Sequence, residues 1–398
     1  MENIETKETN TITEESITKK PRMIEQDIAK GIAIILVIAL HTLTLNRNIY
    51  QMLGGIFGFI MPFFFFMAGY NHRPYRYSYK EILKRRVKQI VIPFFTYSIA
   101  ILLIGAIYYM IAKEYTIKMV LLTYLNLLLS TSFCRYAGIE VISGGLYSTI
   151  MVFWFIQMLF MATLIFYLVV DYALEKASRL ISIIVGLIAL TMVFAHFNIH
   201  LPMFIAEAPA IAAMMLVGAF FGQKELLSNK TRLLFIIINS VVSYSLFVVF
   251  ALLFRGSGFI AGGSLWDNRI NEWAVLLSFV FAIIGTYPFV HTCRLLTKTK
   301  ILSKALVWCG NNSMSLLFIH GIVQLYICVV LKMEPFRMSF ASQENDFRTF
   351  YVLALEILIS VLVILLIGFI KKLISKNKNK KAINEESHWY DIVLTIWY

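Results

Sequence analysis

Two side chains that can hold a charge or move a proton stand eleven positions apart in the first apolar stretch of the chain, Lys30 and His41. At 100° per residue this spacing brings both to one face of a helix, about 16 Å apart along its axis. A neutral imidazole accepts a proton near neutral pH, and an ammonium attracts anions. The pair therefore predicts a site for a long ligand with phosphates at one end and a reactive group at the other. The alternative for His41 is a hydrogen bond to a neighbouring helix that serves packing only.

A second cluster of charge lies just before the third apolar stretch, where Lys84, Arg85, Arg86 and Lys88 follow one another closely. Guanidinium groups bind phosphate with two parallel hydrogen bonds, so the cluster indicates a phosphate site, for instance for coenzyme A. The alternative is that these residues set membrane topology and contact lipid head groups.

Later apolar stretches add further pocket candidates. Asn312 and Ser313 are residue types that begin helices, which would place His320 about two turns deeper in the ninth stretch. Glu207 lies toward the outer half of the sixth stretch, where a carboxylate would meet an extracellular acceptor, and Trp154 lies in the fourth. Because polar residues in membrane helices often serve packing, that alternative applies to each of them.

The composition identifies the kind of protein that carries these residues. Of its 398 residues 59% are hydrophobic and 15% charged, against about 45–50% and 25% in soluble domains. An ordinary soluble enzyme and a disordered chain are both excluded. The net charge is +13, but Lys and Arg lie between apolar stretches rather than on a soluble face, so no nucleic-acid partner is expected. The four cysteines show no metal-ligand spacing, and no metal is expected.

The fold class expected is all-α, a polytopic membrane bundle of about ten transmembrane helices, because each span needs about 20 apolar residues. The uniform content of Leu, Ile, Phe and Val excludes a membrane barrel. The segment 117–130 is open between an interfacial helix and a further span. The ten stretches are 30–46, 53–70, 89–112, 147–170, 180–197, 203–221, 233–254, 273–292, 305–331 and 350–370.

The distribution of basic residues predicts the orientation. With the N-terminus inside, the cytoplasmic segments hold 26 Lys and Arg and the outer ones 9, as the positive-inside rule requires. Both termini are therefore expected in the cytoplasm. We expect a polar N-terminal tail over 1–28, a transmembrane domain over 29–370, and a basic tail with an aromatic end over 371–398. No cleavable signal peptide is expected.

Several short motifs, taken in order, resemble the acyltransferase 3 family of membrane proteins. They are Asp27 to Ile34 with His41, the phenylalanine-rich run Met61 to Tyr70, Arg85 to Gln89 before Pro93, Trp154-Phe155, and Gly310 to Ser313 through His320. The similarity extends over about residues 24–370. Two positions depart from the family pattern: Ala68 stands in place of its usual Ser, and Gln89 near the place of its second Arg.

The resemblance implies a membrane O-acyltransferase of a bacterial plasma membrane. It would move an acyl group, expected to be acetyl, from cytoplasmic acyl-coenzyme A to a hydroxyl of a surface glycan or a lipid-linked sugar. His41 would be the catalytic base or a transient acyl carrier, and Lys30, Arg85, Arg86 and Lys88 would bind the coenzyme A phosphates. Asp27 is a further candidate pocket residue. No tightly bound cofactor is implied, and a homo-oligomer is compatible with the sequence. The alternative is a multispan exporter or flippase of polysaccharide intermediates, and a sensor or scaffold comes third.

Overall fold

The computed structural model describes residues 23–45, 59–74, 78–112, 116–141, 153–227, scattered positions between 234 and 245, 272–331 and 346–381. Within these ranges the chain is helical and contains no strand; Thr44 and Asp346 form an isolated antiparallel bridge. The all-α prediction is thereby confirmed for the described residues. The seventh apolar stretch, 233–254, lies largely outside them, as do most of the N-terminal tail and the aromatic end.

We number the described helices in chain order, leaving the scattered residues between 234 and 245 unnumbered. A π-helical turn, Val87–Val91, joins α3 to α4, and a short 3-10 turn, Pro202–Phe204, precedes α9. The helices are α1 Ile24–Thr42, α2 Ile60–Tyr70, α3 Tyr79–Arg86, α4 Ile92–Ala112, α5 Ile117–Leu129, α6 Thr131–Tyr136, α7 Trp154–Leu174, α8 Ala177–His196, α9 Ala208–Gln223, α10 Glu272–Leu296, α11 Lys300–Asn311, α12 Ser313–Val330 and α13 Arg348–Lys381.

Among the described residues, five helices are long and apolar enough to cross a membrane, or six if one bent pair counts as a span. The chain is a membrane protein, and the count of ten spans and the orientation stay predictions. Helix α5 has 13 residues, about 20 Å of helix, which is shorter than the hydrocarbon core of about 30 Å. Helix α1 begins at Ile24, earlier than expected, because Glu25 and Asp27 in its first turn favour the positive end of the helix dipole.

The ninth apolar stretch, 305–331, is divided between two helices, α11 and α12. Helices α11 and α12 meet at Asn312 with a bend of 82°. The Asn312 side-chain amide donates to the carbonyl oxygen of Trp308 at 2.9 Å, and the amide of Leu316 donates to the carbonyl oxygen of Asn312 at 2.9 Å. One helix therefore ends and the next begins at this residue. The expected helix start at Asn312 and Ser313 is correct, and the residues of this stretch before Asn312 belong to a separate helix, α11.

Contacts between helix ends gather several predicted cytoplasmic segments on one side of the bundle. The Tyr70 hydroxyl lies 3.5 Å from the sulfur of Met23, so the end of α2 meets the start of α1. The His72 imidazole lies 3.1 Å from the carboxylate of Asp171 at the end of α7. At the opposite side, the amide of Thr44 donates to the Thr349 hydroxyl at 3.1 Å, which joins the end of α1 to the start of α13.

Glycines set the closest helix contacts. A methyl group at Gly31 would lie 2.1 Å from the carbonyl oxygen of Leu306, and one at Gly310 would lie 2.0 Å from that of Asp27. Helices α1 and α11 therefore touch backbone to backbone. The same holds for α2 and α9 through Gly69 and Gly218. Small residues allow this approach in membrane bundles, where burying apolar surface does not itself bring helices together.

Candidate functional site

The two predicted site histidines come together in the bundle. The rings of His41 at the end of α1 and His320 in α12 lie 6.0 Å apart between centroids, at an angle of 33°. His320 has no exposed surface, whereas His41 keeps some. The two imidazoles are therefore neighbours inside the bundle, and His41 is the less buried of the two.

The tautomer of neutral His320 follows from its backbone contact. Its Nδ1 lies 3.1 Å from the carbonyl oxygen of Leu316, one turn earlier in α12. Because a carbonyl oxygen only accepts, Nδ1 carries the hydrogen and donates. The other nitrogen, Nε2, is buried without a hydrogen-bond partner. In the neutral ring it is a hydrogen-bond acceptor and a proton acceptor whose orientation is fixed.

A buried polar network adjoins the two histidines. The Gln324 side-chain amide donates to the Thr42 hydroxyl at 3.0 Å, and the Thr42 hydroxyl donates to a Glu356 carboxylate oxygen at 2.6 Å. The Thr42 hydroxyl also lies 2.8 Å from the carbonyl oxygen of Ile38. Thr42 follows His41 in the chain, and Gln324 lies one turn beyond His320. The network thus connects α1, α12 and α13 at one level of the bundle.

This network escaped the sequence analysis, although a signal for it exists. Glu356 is the sole charged residue within the stretch 350–370, and an ionisable residue inside a membrane span is costly unless it has a role. Gln324 follows His320 by four positions, which places both on one face of a helix. Thr42 carries no such signal, because a threonine next to a helix end is common.

Lys30 lies on the same helix as His41, as predicted. Its ammonium group forms an ion pair of 3.0 Å with Asp27, one turn earlier, and 24% of its side chain remains exposed. Asp27, another predicted pocket residue, therefore holds Lys30 at the start of α1. A phosphate ligand would bind Lys30 in competition with this carboxylate.

The basic cluster divides into two faces. Lys84, Arg85 and Lys88 are exposed, whereas Arg86 is half-buried. The Arg86 guanidinium donates to the Tyr167 hydroxyl at 3.0 Å and lies 5.6 Å from the centre of that ring. Arg86 therefore joins this basic turn to α7, and the other three side chains face outward where an anion can reach them.

A buried histidine that the sequence analysis did not select lies beside Arg86. The His72 imidazole packs edge-on against the rings of Phe166 and Tyr167, and its side chain is 4% exposed. Burial lowers the pKa of His72, and the hydrogen bond with Asp171 opposes that shift. His72, Arg86 and Tyr167 thus form one support for the basic turn.

The remaining predicted pocket residues have separate surroundings. Asn312 and Ser313 form the bend between α11 and α12. Trp154 begins α7 and packs against Phe204, with ring centroids 6.5 Å apart. Glu207 precedes α9, is buried, and has one carboxylate oxygen without a hydrogen-bond partner. In the described part of the chain, no three His, Cys, Asp or Glu side chains form a group that could hold a metal ion.

Comparison with known families decides the class of this protein. The sequence matches the acyltransferase 3 family, described as an acyltransferase domain, over residues 24–373. The chain belongs to this family. The resemblance inferred from the motifs is confirmed, and the protein is a membrane acyltransferase. Searches of curated proteins and of solved structures find no match.

Family membership covers the whole bundle that carries the candidate residues. The matched region begins with α1 and ends within α13, so it includes the two histidines, the buried network and the basic turn. The acyltransferase 3 family accounts for acyl transfer as the class of reaction. The roles of individual residues stay predictions.

Proposed function

We propose that this protein moves an acetyl group from cytoplasmic acetyl-coenzyme A to a hydroxyl of a cell-surface glycan or lipid-linked sugar, in a bacterial plasma membrane. The observation that carries the proposal is the pairing of His41 with His320, whose ring centroids lie 6.0 Å apart. His41 lies near the end of α1, and Lys30 lies near the start of the same helix. A base and an anion-binding group on one helix, about 16 Å apart, suit a long phosphorylated donor.

In the proposed reaction, the thioester of the donor reaches His41 and its phosphates lie among Lys30, Arg85 and Lys88. One of the two imidazoles, His41 or His320, removes the proton of the acceptor hydroxyl as the hydroxyl oxygen attacks the carbonyl carbon of the thioester. The carbon–sulfur bond breaks, and the coenzyme A thiolate leaves and takes up a proton. If His41 first carries the acyl group on a ring nitrogen, the same bonds break and form in two steps.

Arg86 has a different part in this proposal. Its hydrogen bond and ring contact with Tyr167 support the turn that presents Arg85 and Lys88. We therefore assign donor binding to the exposed face of the basic cluster and positioning to Arg86. This refines the expectation that both arginines contact the phosphates.

Export of glycan intermediates is the competing proposal. Carriers of that kind often have two broken helices in related positions of their two halves. The described residues contain one bent pair, α11 and α12, and its bend lies beside α1 at the basic end. One broken helix that positions His320 favours transfer chemistry.

The test compares cells that make the wild-type protein, His41→Ala or His291→Asn, with NMR spectra of surface and cell-associated glycans. His291 is a buried histidine in α10 and serves as the matched control. Loss of O-acetyl signals in His41→Ala alone, on a normal amount of polymer, supports the proposal. Polymer that accumulates inside the cells identifies an exporter, and unchanged O-acetylation in His41→Ala refutes the role of His41.

A further inference from the structure

Three buried polar atoms near His41 have no hydrogen-bond partner, and all three can accept hydrogen bonds. They are Nε2 of His320, Oε1 of Gln324 and Oε1 of Glu356. The exposed fractions of these side chains are 0%, 2% and 0%. A buried polar atom without a partner costs free energy comparable to a lost hydrogen bond. Such a group in a native site therefore calls for an explanation, and a ligand is one.

The three atoms belong to one group. Gln324 and Glu356 both contact the Thr42 hydroxyl, at 3.0 Å and 2.6 Å. His320 lies one turn from Gln324 on α12, and its ring centroid lies 6.0 Å from that of His41, the neighbour of Thr42. In each case the structure uses the other polar atom of the same side chain: His320 Nδ1 toward Leu316, Gln324 Nε2 toward Thr42, and Glu356 Oε2 toward Thr42. The partnered atoms hold the side chains in place, and the acceptor atoms stay available.

The chemistry of the three atoms defines what they can bind. Acceptors require donors, which hydroxyl groups supply and which an ionised phosphate or carboxylate does not. The cationic groups for the donor phosphates lie at the other end of α1, around Lys30. The two ends of α1 therefore differ in the charge and hydrogen-bonding character of the ligand they suit.

We infer that His320, Gln324 and Glu356 form the subsite for the acceptor, and that this subsite takes an uncharged, hydroxyl-rich group such as a neutral sugar ring. The acceptor reaches it past His41, which has accessible surface. This inference rests on the proposed function for the identity of the reaction. The binding of a polyol to these three side chains can nevertheless be measured without any turnover.

The binding experiment uses the full-length protein in lipid nanodiscs and saturation-transfer difference NMR. The probes are methyl β-glucoside, which is uncharged, and glucose 6-phosphate, which is anionic. The proteins are wild type, Gln324→Leu and Thr286→Val. Thr286 is the matched control, because it is a fully buried residue of α10 whose hydroxyl also lacks a hydrogen-bond partner.

We expect saturation transfer to methyl β-glucoside in wild type and in Thr286→Val, and a loss of at least about half of this transfer in Gln324→Leu. In wild type and in Thr286→Val, transfer to glucose 6-phosphate should be weaker than transfer to the glucoside. No transfer to the glucoside in wild type would overturn the inference, because water would then satisfy these atoms. Equal transfer in Gln324→Leu, or stronger transfer to the phosphate, would also overturn it.

A second measurement separates this inference from the proposed function. Release of coenzyme A from acetyl-coenzyme A is followed without an acceptor and then with rising methyl β-glucoside. Gln324→Leu should raise the KM for the glucoside about tenfold or more, whereas Thr286→Val should leave both the acceptor-free rate and this KM near wild type. Absence of coenzyme A release in wild type would refute the proposed function, while glucoside binding by NMR would still support the subsite. If Gln324→Leu lowered the rate of coenzyme A release without acceptor as much as the rate with the glucoside, the subsite would be refuted.

Discussion

His41 and His320 lie with their rings 6.0 Å apart, although one closes the first described helix and the other lies in the twelfth. The contact places two imidazoles at the level where the buried Thr42–Gln324–Glu356 network begins. Along α1, this level is about 16 Å from Lys30. The reactive end and the anion-binding end of the proposed site are thus fixed by a single helix.

The fixed tautomer of His320 gives the first prediction. His320→Gln should lower acyl transfer about 100-fold or more, because Nε2 of the imidazole is lost from beside His41 and an amide cannot replace it as a base. The measurement is the initial rate of O-acetyl formation in membranes with matched protein amounts. His291→Gln, in a buried site on α10, should keep a rate near wild type. A wild-type rate in His320→Gln would exclude His320 from the reaction.

The two faces of the basic turn give the second prediction. Arg85→Ala should raise the KM for acetyl-coenzyme A about tenfold, with a smaller effect on a short acetyl thioester that lacks the nucleotide, because an exposed phosphate contact is lost. The measurement is release of free thiol from each donor. Equal losses with both donors would show that Arg85 does not contact the nucleotide.

Arg86 should respond differently, because it bonds to Tyr167 within the protein. Arg86→Ala should reduce the rates with both donors together and lower the thermal midpoint of the purified protein. Tyr167→Phe removes the hydroxyl but keeps the ring, so it should reproduce part of this effect. A nucleotide-selective defect in Arg86→Ala would instead assign Arg86 to the phosphates.

The close approach of α1 and α11 gives a prediction about stability. In Gly31→Ala the added methyl would lie 2.1 Å from the carbonyl oxygen of Leu306, so the two helices must separate. Overpacking of this kind costs about 1–3 kcal/mol. The thermal midpoint in detergent should therefore fall.

A glycine elsewhere supplies the control for this substitution. At Gly186 in α8 nothing lies within 4 Å of an added methyl. Gly186→Ala should stabilise the protein by about 0.5–1 kcal/mol, because alanine has the higher helix propensity. An equal fall of the midpoint in both variants would contradict the contact between α1 and α11.

The pKa of His72 gives a prediction about pH. Burial lowers this pKa in the folded protein, while the bond with Asp171 opposes the shift and nearby Arg86 adds to it. Between the lowered pKa and the ordinary value of about 6.5, the unfolded chain binds more protons. The contribution of His72 to stability is therefore present above about pH 6.5 and decreases as the pH falls.

His72→Gln tests this, because glutamine can still donate to Asp171 but does not titrate. The thermal midpoint of His72→Gln should fall less than that of wild type between about pH 7.5 and about pH 5.5. Parallel curves for the two proteins would show that another group accounts for the pH dependence.

Local periodicity accounts for what the sequence could predict. Hydropathy identified the helical class and located most of the long helices, for example α8, because a membrane span needs a long uninterrupted apolar run. The placement of Lys30 and His41 on one helix also followed, since helix geometry depends only on neighbouring residues. The start of α12 at Ser313 followed as well, but the bend of 82° between α11 and α12 did not, because polar residues of this kind also begin uninterrupted spans.

The sequence by itself determined which residues share a helix, and the tertiary structure decided which helices meet. The pairing of His41 with His320, the bond from Thr42 to Glu356 and the contact of Arg86 with Tyr167 all join residues far apart in the chain. Hydropathy cannot predict such pairs, because every apolar face is equally compatible with lipid. Close packing at Gly31 and Gly310 and the bonds between buried polar groups select the partners.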